Sequence, residues 1–296
     1  MDVILVFNGL GNQMSQYALY MRKKALHQKV RCLFMDTAHN GIELHQLFGI
    51  HTKPSLIDWL LKKLYTGLLY GKFNYYPVNA ILAKLNIKLY IETDHSFQPN
   101  VLQPSKGIVF QVGGWHHPDY FKAIECQVKD KFQFPTITGT RNQAVLKESA
   151  LLNAVAIHIR RGDFFEGENY RLYGKVCTED YYRNAIRYME TNFVSHPRYF
   201  VFSNDMEWSK QFMEGRDCVF VDWNKGTDSW KDMCLMSQFR YIIIPNSTFS
   251  MWAAHLGRQD KVVCRTPYFV DQEVVKGFFP EEWIEISNQK LTDESL

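Results

Sequence analysis

The opening of this chain constrains its fold more than any other stretch. Val3-Ile4-Leu5-Val6-Phe7 is an unbroken apolar run that stops at a glycine turn and resumes as a helix. Apolar residues without alternation predict a strand buried on both faces. The turn Asn8-Gly9-Leu10-Gly11-Asn12 follows, then a helix from about Gln13 to His27. Its apolar residues Met14, Tyr17, Ala18, Met21 and Ala25 recur at helical spacing, and Arg22-Lys23-Lys24 is assigned to its solvated face. A second strand, Val30 to Phe34, ends at Asp36. Strand, helix and strand in this order predict a parallel sheet covered by helices.

The same grammar returns in the second half. Strands are expected at Val155–Ile159, Tyr199–Phe202, Val219–Val221, Tyr241–Ile244 and Lys261–Cys264. Helices are expected from Thr178, an N-cap with Tyr181, Tyr182, Ala185, Ile186 and Met189 as its packing stripe, and at Trp230–Phe239 and Phe249–Leu256. Another strand, Ile108–Val112, runs into Gly113-Gly114-Trp115, and a short helix spans about Arg141 to Leu152. The stretch Phe134–Gly139, with Pro135 and little periodicity, reads as a linker. Two doubly wound α/β domains are therefore expected, 1–138 and 139–296, with a cleft between them. Ligands in such sheets bind beyond the carboxyl ends of the strands.

Residues 55–90 read as helical. Leu56, Ile57, Leu60, Leu61, Leu64, Tyr65 and Leu68 form a wide stripe, with Lys62 and Lys63 off it. A packed helix pair is the first reading of that stripe; peripheral contact with a membrane surface is the second. The net charge of +3, from 34 basic and 31 acidic residues, is too balanced for a nucleic-acid surface. Six scattered cysteines without a C-x-x-C pair exclude a spaced metal motif and a disulfide scaffold, and read as thiols of a reducing compartment. The amino-terminal run lacks a basic leader and a long apolar core, and no apolar run is long enough to span a bilayer, so a cytoplasmic protein is expected.

The motif with most chemistry is His158-Ile159-Arg160-Arg161-Gly162-Asp163, delivered by a buried strand into a turn. Adjacent guanidiniums there suit a diphosphate, whose oxygens accept parallel hydrogen bonds from the planar fork. Asn246-Ser247-Thr248 follows a strand and opens a helix, a ready phosphate site. Gly9 and Gly11 invite a dinucleotide reading, but Met14 stands where the third glycine belongs. No D-x-D pair for a diphosphate-bound metal occurs.

The hexapeptide resembles the leading signature of the α-1,2-fucosyltransferases, shared more loosely by α-1,6- and protein O-fucosyltransferases. Four further stretches agree in order: Gly9-Leu10-Gly11-Asn12-Gln13-Met14 with Gln16-Tyr17-Ala18, Phe202-Ser203-Asn204-Asp205, Asn246-Ser247-Thr248-Phe249-Ser250 with Trp252, and Phe279-Pro280-Glu281-Glu282-Trp283. Departures are Ser15 for Phe, Asn204 for Asp, and Met251 and His255 where the family usually has Trp. The resemblance implies a GT-B-type, inverting, metal-independent transferase that moves L-fucose from GDP-β-L-fucose to the 2-hydroxyl of a terminal β-galactoside. It implies an acceptor-side first domain and a GDP-fucose-binding second domain. It places Asn12 near the transferred sugar, with Gly9, Gly11 and Gln13 about it. It places Arg160, Arg161, Ser247, Thr248 and Phe249 at the diphosphate. His158, at the end of its strand, reads either as a contact for the donor's ribose or phosphate or as a satisfied core histidine. Asp232 is the candidate guanine reader and Asp205 the alternative. Asp163 is the candidate base, or else orients the neighbouring arginine. Three other readings stay open: transfer of a different GDP-sugar or linkage, non-catalytic nucleotide or glycan binding, and an oxidoreductase, which Met14 disfavours.

Overall fold

The computed structural model describes residues 1–35, 40–51, 55–70 and 76–290, so Asp36 lies outside the described residues. The chain divides into two compact units. The first is Met1–Pro135 with Lys276–Phe278, and the second is Thr136–Val275 with the chain from Phe279 onward.

In the first unit four parallel strands lie in the order β2-β1-β4-β3: β1 Asp2–Val6, β2 Val30–Phe34, β3 Ile87–Ile91 and β4 Ile108–Val112. Helices α1 (Leu10–Ala25), α2 (Glu43–Phe48), α3 (Leu56–Lys63), α4 (Tyr76–Lys84) and α5 (Glu125–Lys131) belong to it. Every residue of β1 is buried, because both faces are covered. Val3 and Leu5 meet Leu61, Tyr65 and Leu69 of the α3 region and Leu82 of α4. Ile4, pointing the other way, meets Leu19 of α1, Trp115 and Tyr120.

Three details differ from the sequence reading. Helix α1 begins at Leu10, so Gly11, Asn12 and Gln13 form its first turn and are not part of a loop. Lys23 is not on the solvated face: it is fully buried. Its amine lies 3.1 Å from the buried Asp2 carboxylate, whose other oxygen accepts from Ser105 Oγ (2.6 Å) and Gln111 Nε2 (2.9 Å). The helical reading of 55–90 also fails at its end. Ile87–Ile91 is the strand β3, whose start is fixed by a tight approach between two chain segments. Ile108 N–H donates to Asn86 O at 2.8 Å, and a Cβ on Gly107 (φ +76°) would lie 2.0 Å from that oxygen. Only glycine fits there.

The α3 stripe is divided. Leu61 and Tyr65 are buried, whereas Leu56 (73% exposed), Ile57 (49%), Trp59 (56%) and Leu60 (52%) face solvent. The side chain of Leu68 lies outside the described residues. Among the described residues, no helix is long and apolar enough to cross a membrane.

The second unit holds six parallel strands in the order β10-β9-β8-β5-β6-β7: β5 Ala154–Ile159, β6 Arg198–Ser203, β7 Cys218–Val221, β8 Tyr241–Ile244, β9 Val262–Arg265 and β10 Ile284–Glu285. The short β10 was not foreseen. Its helices are α6 (Thr140–Glu148), the single turn α7 (Gly167–Asn169), α8 (Glu179–Asn192), α9 (Met206–Phe212), α10 (Trp230–Ser237) and α11 (Thr248–His255). Thr178 caps α8 as expected, its Oγ1 accepting from Tyr181 N–H at 3.2 Å, and the predicted stripe of α8 packs on Val155, Ile157, Val201 and Ile243. All six cysteines are free thiols. Cys32, Cys177, Cys234 and Cys264 are buried, Cys218 is half-buried and Cys126 is exposed.

Candidate active site

In the second sheet the chain runs from β5 outward through β6 to β7, then returns to the other side of β5 for β8 and β9. The order therefore reverses between β5 and β8, and the loops leaving these two strands part to form a crevice. The loop after β5 carries Arg160-Arg161-Gly162-Asp163; the loop after β8 carries Asn246-Ser247 into α11.

Each group of the β5 turn is held. Arg160 N–H donates to the Tyr182 hydroxyl at 3.1 Å, and its guanidinium Nη2 lies 2.8 Å from the Asp163 carboxylate. Arg161 N–H donates to Asn204 Oδ1 (2.9 Å), and Asn204 Nδ2 donates to Asp163 Oδ1 (3.1 Å). The Arg161 guanidinium is sandwiched between the rings of Phe165 (3.9 Å) and Trp208 (4.0 Å). Its Nε stands 3.4 Å from Asp205 but is not aligned for a hydrogen bond. Stacking on both faces fixes a guanidinium while leaving its edge free to donate. Of the two cations Arg160 is the more open, at 29% against 17% exposed.

His158, the last inward residue of β5 on the face opposite α8, is buried with Nδ1 unpartnered and its ring 5.9 Å from Phe249. Burial, and then the Arg160 charge, push its pKa down to about 3, so the imidazole is neutral. Ser247 is the N-cap residue of α11 and is buried without a side-chain capping bond; Thr248 and Phe249 are half-buried in the first turn. The first N–H groups of a helix have no partner within it, and they carry the positive end of its dipole.

Asp205 and Asp232 differ sharply. Asp205 is engaged as the N-cap of α9, accepting from Trp208 N–H at 3.2 Å, beside Arg161. Asp232 lies in the first turn of α10, at the same sheet edge, because α10 follows β7 in a parallel unit. Its Oδ1 accepts from Asn224 Nδ2 at 2.7 Å, and Asn224 is locked by Asn142, which also accepts from Trp223 Nε1. Burial raises the Asp232 pKa to about 7, the Asn224 bond opposing it.

The structure thus brings His158, Arg160, Arg161, Asp163 and Asp205 to adjoining strand ends, with Ser247, Thr248 and Phe249 across the crevice and Asp232 on the same edge. Gly9, Gly11, Asn12 and Gln13 lie in the first unit, where its own strand order reverses between β1 and β4. There Gln13 is buried and engaged, donating to Asn8 O (2.7 Å) and Gly41 O (2.9 Å). Asn12 is half-buried. Among the described residues, no three His, Cys, Asp or Glu side chains group as metal ligands would. The sequence reading missed Tyr182, Phe165, Trp208 and the Asn142–Trp223–Asn224 triad. Only Trp208, one helical turn beyond Asp205, left a local trace, as the first turn of a capped helix.

A helix-covered parallel sheet with a basic turn at its reversal point is a common frame for enzymes that bind anionic ligands. Residues 72–287 match the model of Glycosyl transferase family 11, and the chain belongs to that family. The resemblance read from the five stretches is borne out. An α-1,2-colitosyltransferase of Escherichia coli is 31% identical, over 94% of this chain and 96% of that protein. Galactoside α-(1,2)-fucosyltransferase 1 of Saimiri boliviensis boliviensis is 28% identical over 57% of this chain, which spans half of that relative's length. Among solved structures, NodZ α-1,6-fucosyltransferase soaked with GDP-fucose is similar at a TM-score of 0.49 and 12% identity, over 86% of this chain and 92% of that one.

Proposed function

We propose that the chain is a galactoside α-1,2-fucosyltransferase, moving L-fucose from GDP-β-L-fucose to the 2-hydroxyl of a terminal β-galactoside with inversion and without a metal ion. The observation that carries this reading is the Arg160 guanidinium at the β5–β8 reversal, opposite the α11 N-terminus. As the bond to the leaving GDP breaks, negative charge grows on the bridging and terminal phosphate oxygens. A fixed cation and helix N–H groups stabilise that charge without reorganising. Arg160 and Arg161 are the cations of the diphosphate, and the 247–249 turn supplies N–H groups. Asp232 accepts from the N1 and N2 edge of guanine, His158 lines the ribose and phosphate region, and Asp205 braces Arg161. Asp163 orients Arg160. The first unit carries the acceptor side, with Asn12 as its residue toward the sugar. The exposed face of α3, with Trp59 among its aliphatic residues and Lys62 and Lys63 following, supports a peripheral contact with an anionic membrane surface.

The E. coli relative favours a second reading, in which the transferred sugar is colitose. The test is GDP release from GDP-fucose and from GDP-colitose, with lactose as acceptor, with and without EDTA, for the native chain and Arg160→Ala. Acceptor-stimulated, EDTA-insensitive release that collapses in the variant is expected. Release abolished by EDTA overturns the metal-free mechanism. Release from GDP-colitose alone transfers the assignment to the second reading.

A further inference from the structure

Among the side chains that hold the turn presenting Arg160, one ties two of its groups together. Asn204, at the carboxyl end of β6, accepts from Arg161 N–H through Oδ1 (2.9 Å) and donates from Nδ2 to Asp163 Oδ1 (3.1 Å). The two demands are opposite, an acceptor on one side and a donor on the other. A carboxamide meets both; a carboxylate meets only the first. Gly162 completes the fit, since a Cβ there would lie 2.5 Å from Asn204 Nδ2. The Asp163 carboxylate so held is the one that pairs with Arg160 at 2.8 Å.

We propose that Asn204 is a positioning residue, fixing Asp163 and through it the Arg160 guanidinium in the geometry required by the leaving diphosphate. This rests on the reading of Arg160 as the diphosphate's cation. Asn204 itself need not touch the donor: its contacts are with the turn. With Asn204 donating to it and Arg160 paired to it, the Asp163 carboxylate is engaged as an acceptor and orients the arginine. That assigns it to the second of its two candidate roles.

Placing Asp at 204 brings two carboxylates to the separation now spanned by the Nδ2–Oδ1 bond. They keep the turn's geometry only while they share a proton. The charged and titratable groups around the position are Arg160, Arg161 and Asp163 from the β5 turn and Asp205 beside it, with Tyr182 and Cys177 bonding the backbone of Arg160 and neutral His158 within reach of the Arg160 charge. Burial holds the Tyr182 and Cys177 pKa values high, so neither supplies a competing transition in the neutral range.

The experiment is GDP affinity by calorimetry on the full chain between about pH 4.5 and about pH 8, for native protein, Asn204→Asp and Asn204→Ala, with melting temperatures beside it. Asn204→Asp is expected to match native affinity at the acid end and to lose ~10-fold toward the alkaline end. Asn204→Ala is expected to be weak throughout, and to lose ~100-fold in kcat with a smaller change in KM. Recovery by acid of the ratio of Asn204→Asp affinity to native affinity, in which the Asp232 titration cancels, separates positioning from a folding defect. A native chain that binds GDP while Asn204→Asp follows it in parallel at every pH overturns this inference alone. A native chain that binds no GDP overturns the underlying reading and this inference with it.

Discussion

A carboxyl group whose pKa burial holds at about 7, as at Asp232, titrates in the neutral range, and its two states have different uses. The proposed guanine contact uses the carboxylate; folding favours the acid. The unfolded chain carries an ordinary Asp, with a pKa near ~3.9. A folded pKa above that value gives a stability contribution that is complete below the unfolded pKa and is lost as pH rises through about 7. Two measurements follow. GDP affinity of the native chain should fall as pH drops below about 7, read by calorimetry. Asp232→Asn should melt at the same or a higher temperature than native protein at alkaline pH, while losing most GDP affinity. A variant that melts well below native protein at both acid and alkaline pH would mark Asp232 as structural. The importance of this residue was only half legible in the sequence. Asp232 could be named as the candidate guanine reader from resemblance. Its environment could not, because Asn142 and Asn224 meet across 82 positions of chain. The β5 hexapeptide was legible for the opposite reason: strand, turn and cations are contiguous, so local pattern alone places them.

Elements were read well where both faces of a strand are covered and poorly where an element changes environment along its length. The apolar runs of β5 and β8 have one interpretation each. The run from Leu56 onward has two, since part of it is buried against the sheet and part is open. If the open part meets a membrane, Trp59 fluorescence should shift to the blue with anionic vesicles and remain unchanged with neutral ones. Leu56→Ser with Leu60→Ser should abolish the shift and leave turnover on a soluble acceptor intact. Helix α1 is misread at Lys23 because its mate, Asp2, lies on another element. Lys23→Met leaves a buried, uncompensated carboxylate and should cost about 3–5 kcal/mol by denaturant unfolding. Adding Asp2→Asn, which removes the charge and keeps an acceptor for Ser105 and Gln111, should recover most of that loss.

At the scale of the whole chain, the two units are each wound about an early strand, β1 in one and β5 in the other. GDP bound to the second unit at about a hundred times its dissociation constant should stabilise that unit by about 2.7 kcal/mol. In a calorimetric scan, the transition belonging to that unit should rise by roughly 5–10 °C. An equal rise of every transition would show that the chain melts as one cooperative body. The strand order also sets a timetable for synthesis. The second edge of β1 is closed by β4, which begins at Ile108, so Asp2 waits for Val109. The second edge of β5 is closed by β8 in the same way, Val155 waiting for Tyr241. A ribosome adds ~5–20 residues each second, so each central strand stays open on one side for several seconds, exposing a row of unpaired backbone N–H and C=O groups to its neighbours on the polysome. Chains released early, before Ile108 or before Tyr241, carry that open edge permanently. They are expected to aggregate or to occupy chaperones, even though every residue of the affected strand is present.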